Sequence, residues 1–275
     1  MEIIDILKKY SFVFKKSLGQ NFLTDSQLLD AIARDAGVEK TDTVVEIGAG
    51  AGTLTRALAA RASKVVAFDI DEALVPVLRE SLTGVENAEV VFRDVLKCSD
   101  EELLGIIGGR FKVVANIPYY ITTPLVMRFA ESSLPVDSVT VTVQKEVAER
   151  LVAEAGTPEY GAISATIALR GNARITREIS RKMFRPVPNV DSAVVRIDFL
   201  RDKFGDTDVS AVSELVRQCF RMRRKTLLNN LVSAGYGKEK ARLAIERAGF
   251  PADVRGERLS AEDYVRLYGE LISSE

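Results

Sequence analysis

The sequence predicts an α/β fold: a mostly parallel sheet with helices on both faces, an antiparallel hairpin at the sheet edge, and a small all-helical domain at the C-terminal end. Three observations carry the prediction. Short β-branched runs alternate with longer amphipathic patterns through the first two-thirds of the chain, the order produced by parallel strands joined by crossover helices. Two β-rich runs follow with turn residues between them and no good helix. Beyond residues 201–208 every segment has helical spacing.

Taken in order, strands are expected at TVVEIG (43–48), KVVAFD (64–69), AEVVFRD (88–94), FKVVAN (111–116) and DSVTVTVQ (137–144). Their near-continuous apolar character is that of strands covered on both faces. Between them, LTRALAAR, EALVPVLRES and TPLVMRFAES space apolar residues three and four apart, the helical period. ARITREIS (173–180) and SAVVRIDFL (192–200) form the edge hairpin, with turn signals in FRPVPN. The polar stretch RDKFGDTD (201–208) reads as a linker between a domain of residues 1–200 and a helical one of residues 209–275. The latter contains SAVSELVRQCFRMRRKTLLNNLV, KEKARLAIERAG and SAEDYVRLYGELI.

Composition excludes several functions. The chain has 275 residues and is 47% hydrophobic, enough for a substantial core. No stretch approaches the ~18 uninterrupted apolar residues of a membrane span. Acids stand at Glu2 and Asp5, where a secretory leader would be basic, so a cytoplasmic location without membrane attachment is expected. Cys98 and Cys219 lack any CxxC spacing and are expected to be buried, reduced thiols rather than metal ligands. With no His in the chain, Ser-His-Asp and Cys-His catalysis and His-ligated metals are excluded. The net charge of −1 conceals an uneven distribution: residues 170–225 hold 14 basic against 7 acidic side chains, and the remainder sums to −8. A basic stretch on an acidic body points to a polyanionic partner.

The first strand runs into EIGAGAGTLT, which puts Gly48, Gly50 and Gly52 at a strand's carboxyl end, where open α/β sheets bind ligands. Thr53 occupies the last glycine position of the dinucleotide fingerprint GxGxxG, which argues against NAD. Asp69 ends the second strand 21 residues after Gly48, at the distance of a ribose-binding carboxylate. Asp94 ends the third and suits an adenine amino group. Together they outline an adenosine pocket. The fourth strand ends in Asn116-Ile117-Pro118-Tyr119, followed by Tyr120. The Asn116 side-chain oxygen and the Ile117 carbonyl, held by Pro118, can both accept from one exocyclic amine, and Tyr119 can stack on its base.

At these residues the sequence resembles the ribosomal RNA adenine dimethyltransferases, most closely the bacterial small-subunit type whose loss gives kasugamycin resistance. The resemblance covers nearly the whole chain: Gly19-Gln20-Asn21-Phe22-Leu23, EIGAGAG, FDID, Asp94, NIPYY, QKEVAERL with the following EYG, FRPVPNVDSAVV and FRMRRKTLLNNL. It implies a Rossmann-like S-adenosylmethionine-dependent methyltransferase sheet. It also implies S-adenosyl-L-methionine as donor, no metal, and dimethylation of N6 on two adjacent adenines near the 3′ end of small-subunit (16S) rRNA. Carried over by position, Asn21 and Leu23 close over the donor and Gly48 lies against its methionine part. Asp69 then holds the ribose and Asp94 the adenine amine, while Asn116 bridges donor and target and Phe184 supplies a second aromatic face. The family usually has Glu where this chain has Asp69. RNA contacts are expected from Arg217, Arg221, Arg223, Arg224 and Lys225 on one helix, and a monomer is expected. The alternatives are a large-subunit (23S) adenine methyltransferase of the macrolide-resistance type and a non-catalytic nucleic-acid-binding assembly or transcription factor on the same fold. An NAD-dependent oxidoreductase is a more distant one.

Overall fold

The computed structural model describes residues 3–13, 21–200 and 202–273. Glu2, Gly19, Gln20 and Arg201, on which the sequence reading draws, lie outside them. The chain opens with α1 (Ile3–Lys9), β1 (Phe22–Leu23) and α2 (Ser26–Asp35). Then follow β2 (Thr43–Ile47), α3 (Thr53–Ala59), β3 (Lys64–Asp69), α4 (Val75–Ser81), β4 (Ala88–Phe92) and α5 (Asp100–Ile107). Next are β5 (Phe111–Ala115), α6 (Tyr119–Ala130), β6 (Val136–Gln144), α7 (Lys145–Leu151), α8 (Ala162–Arg170), β7 (Gly171–Ile179), β8 (Phe184–Arg185) and β9 (Ser192–Phe199). The last elements are α9 (Val209–Phe220), α10 (Leu227–Ser233), α11 (Lys238–Arg247) and α12 (Ala261–Ile272).

The central sheet has seven strands in the order β4-β3-β2-β5-β6-β9-β7. Strands β4 to β6 are parallel, and β9 runs antiparallel to β6. The five expected parallel strands therefore form within two residues of their expected bounds. Valines explain them: Val44, Val65, Val66, Val113, Val139 and Val141 are all fully buried, and a β-branched side chain fits a pleated surface covered on both sides. The two edge runs become β9, interior beside β6, and β7, the outermost strand.

The chain moves outward from β2 to β3 and β4, then returns across the sheet to β5 and β6, so β2 and β5 are neighbours at the topological switch point. Ligands in such sheets bind beyond the carboxyl ends of these strands, because the connections diverge there and leave a crevice.

Helices α2 and α5, which the pattern reading did not name, both carry strong caps. Asp25 caps α2 by accepting from the Leu28 N–H at 2.8 Å. Ser99 and Glu102 form a reciprocal capping box at α5.

Contacts divide the chain into two compact units, one of residues 1–148 and 174–198, the other of residues 149–173 and 199–275. The second differs from the expected helical domain by including residues 149–173 and the stretch read as a linker. Its core explains the difference: Tyr160, Ala165 and Leu169 belong to the same buried cluster as Val212, Leu215 and Tyr264. Helix α8 was not legible as a helix because AISATIALR is apolar or small on almost every side, which erases the stripe that marks an amphipathic helix. Within this unit the Tyr160 hydroxyl donates to the Leu259 carbonyl and that of Tyr264 to the Gly256 carbonyl, each at 2.8 Å.

The expected single helix carrying Arg217 to Lys225 is a correction. Helix α9 ends at Phe220, and Arg221, Arg223, Arg224 and Lys225 lie in the turn before α10. Buried Asn230 holds that turn, accepting from the Met222 N–H at 2.9 Å and donating to the Met222 carbonyl at 3.2 Å. Thr226 then caps α10. Of the two cysteines, Cys219 is buried, which pushes its thiol up to about 12. Cys98 is only half-buried, against the expectation of two buried thiols. Among the described residues no helix is long and apolar enough to cross a membrane.

Candidate active site

A cavity of about 280 Å³ opens at the carboxyl ends of β2 to β5. The residues that line it include Asn21, Leu23, Gly48, Gly50, Asp69, Asp94, Asn116, Ile117, Pro118, Tyr119 and Phe184. Of the residues singled out for this pocket, all but Gly52 are thus brought together, from six separate stretches of chain.

Gly48 needs to be glycine twice over. Its φ is +82°, and a Cβ would sit 3.3 Å from Ile117 Cγ2 and 3.5 Å from the Asn116 carbonyl oxygen, narrowing the crevice. Gly52 does different work. It precedes α3 at φ +81°, and a Cβ there would come 2.8 Å from Ser81 Oγ. It is a packing glycine against α4, not a pocket wall.

Asp69 is engaged by the backbone. Oδ2 accepts from the Gly50 N–H at 2.8 Å, and Oδ1 accepts from the N–H groups of Ile70 and Asp71 at 2.7 and 2.9 Å. The shorter Asp thus ties the glycine loop to the end of β3. Oδ1 is thus satisfied by two donors, whereas Oδ2 keeps a second lone pair for a hydroxyl donor. Asp94 accepts from the Leu96 N–H at 3.1 Å and lies 3.4 Å from Lys97 Nζ.

Asn116 Nδ2 donates to the Asn21 carbonyl at 3.4 Å. That bond assigns the amide's nitrogen to the N-terminal segment and leaves Oδ1 as an acceptor. Helix α6 starts at Tyr119, directly after Pro118, so the NIPY turn is held between a buried strand and a helix. Burial pushes the Tyr119 phenol above its ordinary value, partly offset by its hydrogen bond with Ser192 at 2.8 Å. Phe184, 1% exposed, pairs with Leu23 in a two-stranded β1–β8 ribbon.

Three cavity residues escaped the sequence reading. Glu46 is fully buried, and neither carboxylate oxygen has a hydrogen-bond partner. Burial raises its carboxyl to about 8; the nearby Thr55 hydroxyl, short of hydrogen-bond geometry, opposes the rise, and the charge of Asp69 adds to it. Its place in the glycine motif was the available clue. Thr53, read only as a missing glycine, donates its hydroxyl to the Leu23 carbonyl at 3.1 Å and holds the Asn21–Leu23 segment in place. Phe22 lies against Gly50, where a Cβ would be 3.1 Å from its ring.

These features fit a positively charged, nucleoside-containing donor. A buried carboxyl without a partner is costly unless neutral or facing a cation, and two further carboxylates, Asp69 and Asp94, line the same cavity.

The basic residues fall in the other unit. Arg217 pairs with Glu214 at 2.8 Å. Arg223 donates to Glu257 at 3.2 Å and to the Pro158 carbonyl, which makes it a brace within the unit. Arg221, Arg224 and Lys225 are exposed.

The family described as ribosomal RNA adenine dimethylase matches residues 11–273. Ribosomal RNA small subunit methyltransferase A of Clostridioides difficile (strain 630) is 43% identical over 265 residues, which cover 94% of this chain and 91% of that protein. The protein of the same name from Ligilactobacillus salivarius (strain UCC118) is 42% identical over 276 residues, covering 97% and 93%. Among solved structures, a dimethyladenosine transferase from Plasmodium falciparum aligns with a TM-score of 0.78 at 26% identity, covering 92% of this chain and 98% of that one. The 23S rRNA methyltransferase ErmE aligns with a TM-score of 0.70 at 29% identity, covering 91% and 99%. A match spanning both compact units, with relatives above 40% identity over the same length, leaves one conclusion: this chain belongs to the ribosomal RNA adenine dimethylase family.

Proposed function

We propose that this protein transfers methyl groups from S-adenosyl-L-methionine to the N6 amines of two adjacent adenines near the 3′ end of small-subunit rRNA. The product is N6,N6-dimethyladenosine, formed during small-subunit biogenesis. The observation that carries the reading is the bond from Asn116 Nδ2 to the Asn21 carbonyl. It leaves the Asn116 oxygen and the neighbouring Ile117 carbonyl as acceptors at the switch-point crevice, the arrangement an exocyclic amine requires.

S-adenosyl-L-methionine, when bound, supplies an already cationic methyl sulfonium. Gly48 and Gly50 let the backbone approach it, Asn21 and Leu23 cover it, Asp69 accepts from its ribose and Asp94 from its adenine. A target adenine must leave its stack to enter, at a cost of a few kcal/mol. Tyr119 and Phe184 offset that cost by stacking, each ring contributing ~1–3 kcal/mol. Asn116 and Ile117 accept the two amine hydrogens and aim the nitrogen lone pair. Alignment of this kind can supply up to ~7–11 kcal/mol, so no protein general base is needed and the proton leaves for water after transfer. Exposed Arg221, Arg224 and Lys225 contact phosphates. The protein acts as a monomer in the cytoplasm.

The test is incubation with labelled S-adenosylmethionine and, separately, unmodified small and large ribosomal subunits, followed by mass mapping of the RNA. Label on two adjacent adenines of the small subunit is expected. Label confined to the large subunit would favour the 23S reading, which the similarity to ErmE keeps in view. No label on either would favour a non-catalytic binding protein.

A further inference from the structure

The two aromatic walls of the cavity come from distant stretches of chain: Tyr119 follows β5, and Phe184 lies between β7 and β9. Phe184 is locked by burial and by its pairing with Leu23. Tyr119 is only half-buried, and among the described residues its hydroxyl is anchored by a 2.8 Å hydrogen bond with Ser192 Oγ.

Ser192 is the first residue of β9, is 0% exposed, and stands opposite Gln144 of β6. Strand β6 separates β9 from β5, so the bond reaches across a strand. The segment that precedes Ser192 is braced independently. Asp191 accepts from the Arg181 N–H at 2.9 Å through its side chain and from the Lys145 N–H at 3.1 Å through its carbonyl. Arg181 also donates to the Asn189 carbonyl at 2.7 Å. Ser192 opens a strand whose next three residues, Ala193, Val194 and Val195, are buried and apolar. A hydroxyl placed there must find a partner, and Tyr119 is the partner it has.

We infer that Ser192 is a positioning residue for the target base: by holding the Tyr119 hydroxyl it fixes the orientation of the ring on which the adenine stacks. One segment, residues 184–192, then governs both aromatic walls, one directly through Phe184 and the other through Ser192. The inference rests on the adenine-methylation reading above. Ser192 itself does not line the cavity and acts only through Tyr119.

Ser192→Ala and Tyr119→Phe each remove one end of the bond while both aromatic rings are retained. Methylation of small ribosomal subunits is measured with kcat and KM separated, alongside donor affinity by calorimetry. Each variant is expected to lose on the order of tenfold in kcat/KM for the subunit, with donor affinity within about twofold of the parent. The double variant should be no worse than the worse single one, because both changes remove the same interaction. Parental kcat/KM in Ser192→Ala, losses that multiply in the double variant, or donor affinity falling in step with kcat/KM would each overturn the assignment. If Ser192→Ala does not fold, parental kcat/KM in Tyr119→Phe overturns it alone. Failure of the proposed function is distinguishable, because it is read from the unaltered enzyme as absence of small-subunit methylation.

Discussion

The Asp69 carboxylate accepts a hydrogen bond from the Gly50 N–H at 2.8 Å, joining the glycine loop after β2 to the end of β3. With the bonds from Ile70 and Asp71 at its other oxygen, it organises the glycine-loop side of the cavity. Asp69→Ala should therefore weaken both ligand binding and the fold. We expect donor affinity to fall at least about tenfold. We also expect an unfolding midpoint lower by roughly 5 °C, in the range that losing one to two kcal/mol implies. Calorimetry and thermal melts check the two effects, and a variant that loses donor affinity at an unchanged midpoint would contradict the backbone role.

Asn116→Ala should lower turnover at least ~10³-fold, since it removes the acceptor that aligns the amine. Donor binding should persist, because Asp69 and Asp94 remain. Single-turnover methylation and calorimetry separate the two. Near-parental turnover would end the argument that alignment, rather than proton removal, drives the reaction.

Thr53→Val keeps the shape of the side chain and removes its bond to the Leu23 carbonyl. The loosened Asn21–Leu23 segment should raise KM for the donor by about fivefold, the worth of one hydrogen bond near 1 kcal/mol, with kcat little changed. Steady-state kinetics with varied donor provides the check.

Glu46 makes stability depend on pH in the absence of donor. Its ordinary value is 4.5 and burial raises it to about 8, so between those values the folded state binds more protons than the unfolded state. Its stability contribution is therefore fully present below about pH 4.5 and is lost as pH rises through about 8. Glu46→Gln cannot ionise, and its midpoint advantage over the parent should shrink toward nothing near pH 4.5 and grow as pH rises toward 8. Melts across that range decide it, and a pH-independent difference would refute the buried-carboxyl account.

Replacing Arg224 and Lys225 by Ala should reduce the slope of log affinity for RNA against log salt by about 1 for each phosphate that is no longer neutralised. Arg223→Ala should behave differently. Because Arg223 braces Glu257 and the Pro158 carbonyl, its removal should lower the midpoint of unfolding more than it changes the salt slope. Equal effects of Arg223 and Arg224 on the slope would show that both serve RNA.

How much could be read without coordinates depended on how locally each feature is encoded. The parallel strands were legible because five apolar runs each ended at a chemically distinctive residue, such as Gly48, Asp69 or Asn116, and strand ends in such sheets share one edge. The absence of His narrowed the chemistry, and the basic stretch hidden in a net charge of −1 pointed to a polyanion. Helix α8 was hidden because it is covered on nearly every side and so shows no stripe.

What folding alone could settle was which side chains were already engaged. Spacing placed Asp69 at a ribose-binding position, but three backbone N–H groups already hold its carboxylate. Gly52 looked equivalent to Gly48 until Ser81 was found against it. Arg223 looked equivalent to Arg224 until Glu257 was found beside it. Thr53 looked like a lost glycine and proved to be a tether. Local spacing determines where a residue falls along an element, whereas its partner comes from chain brought close only by packing, 95 residues away in the bond between Asn116 and Asn21.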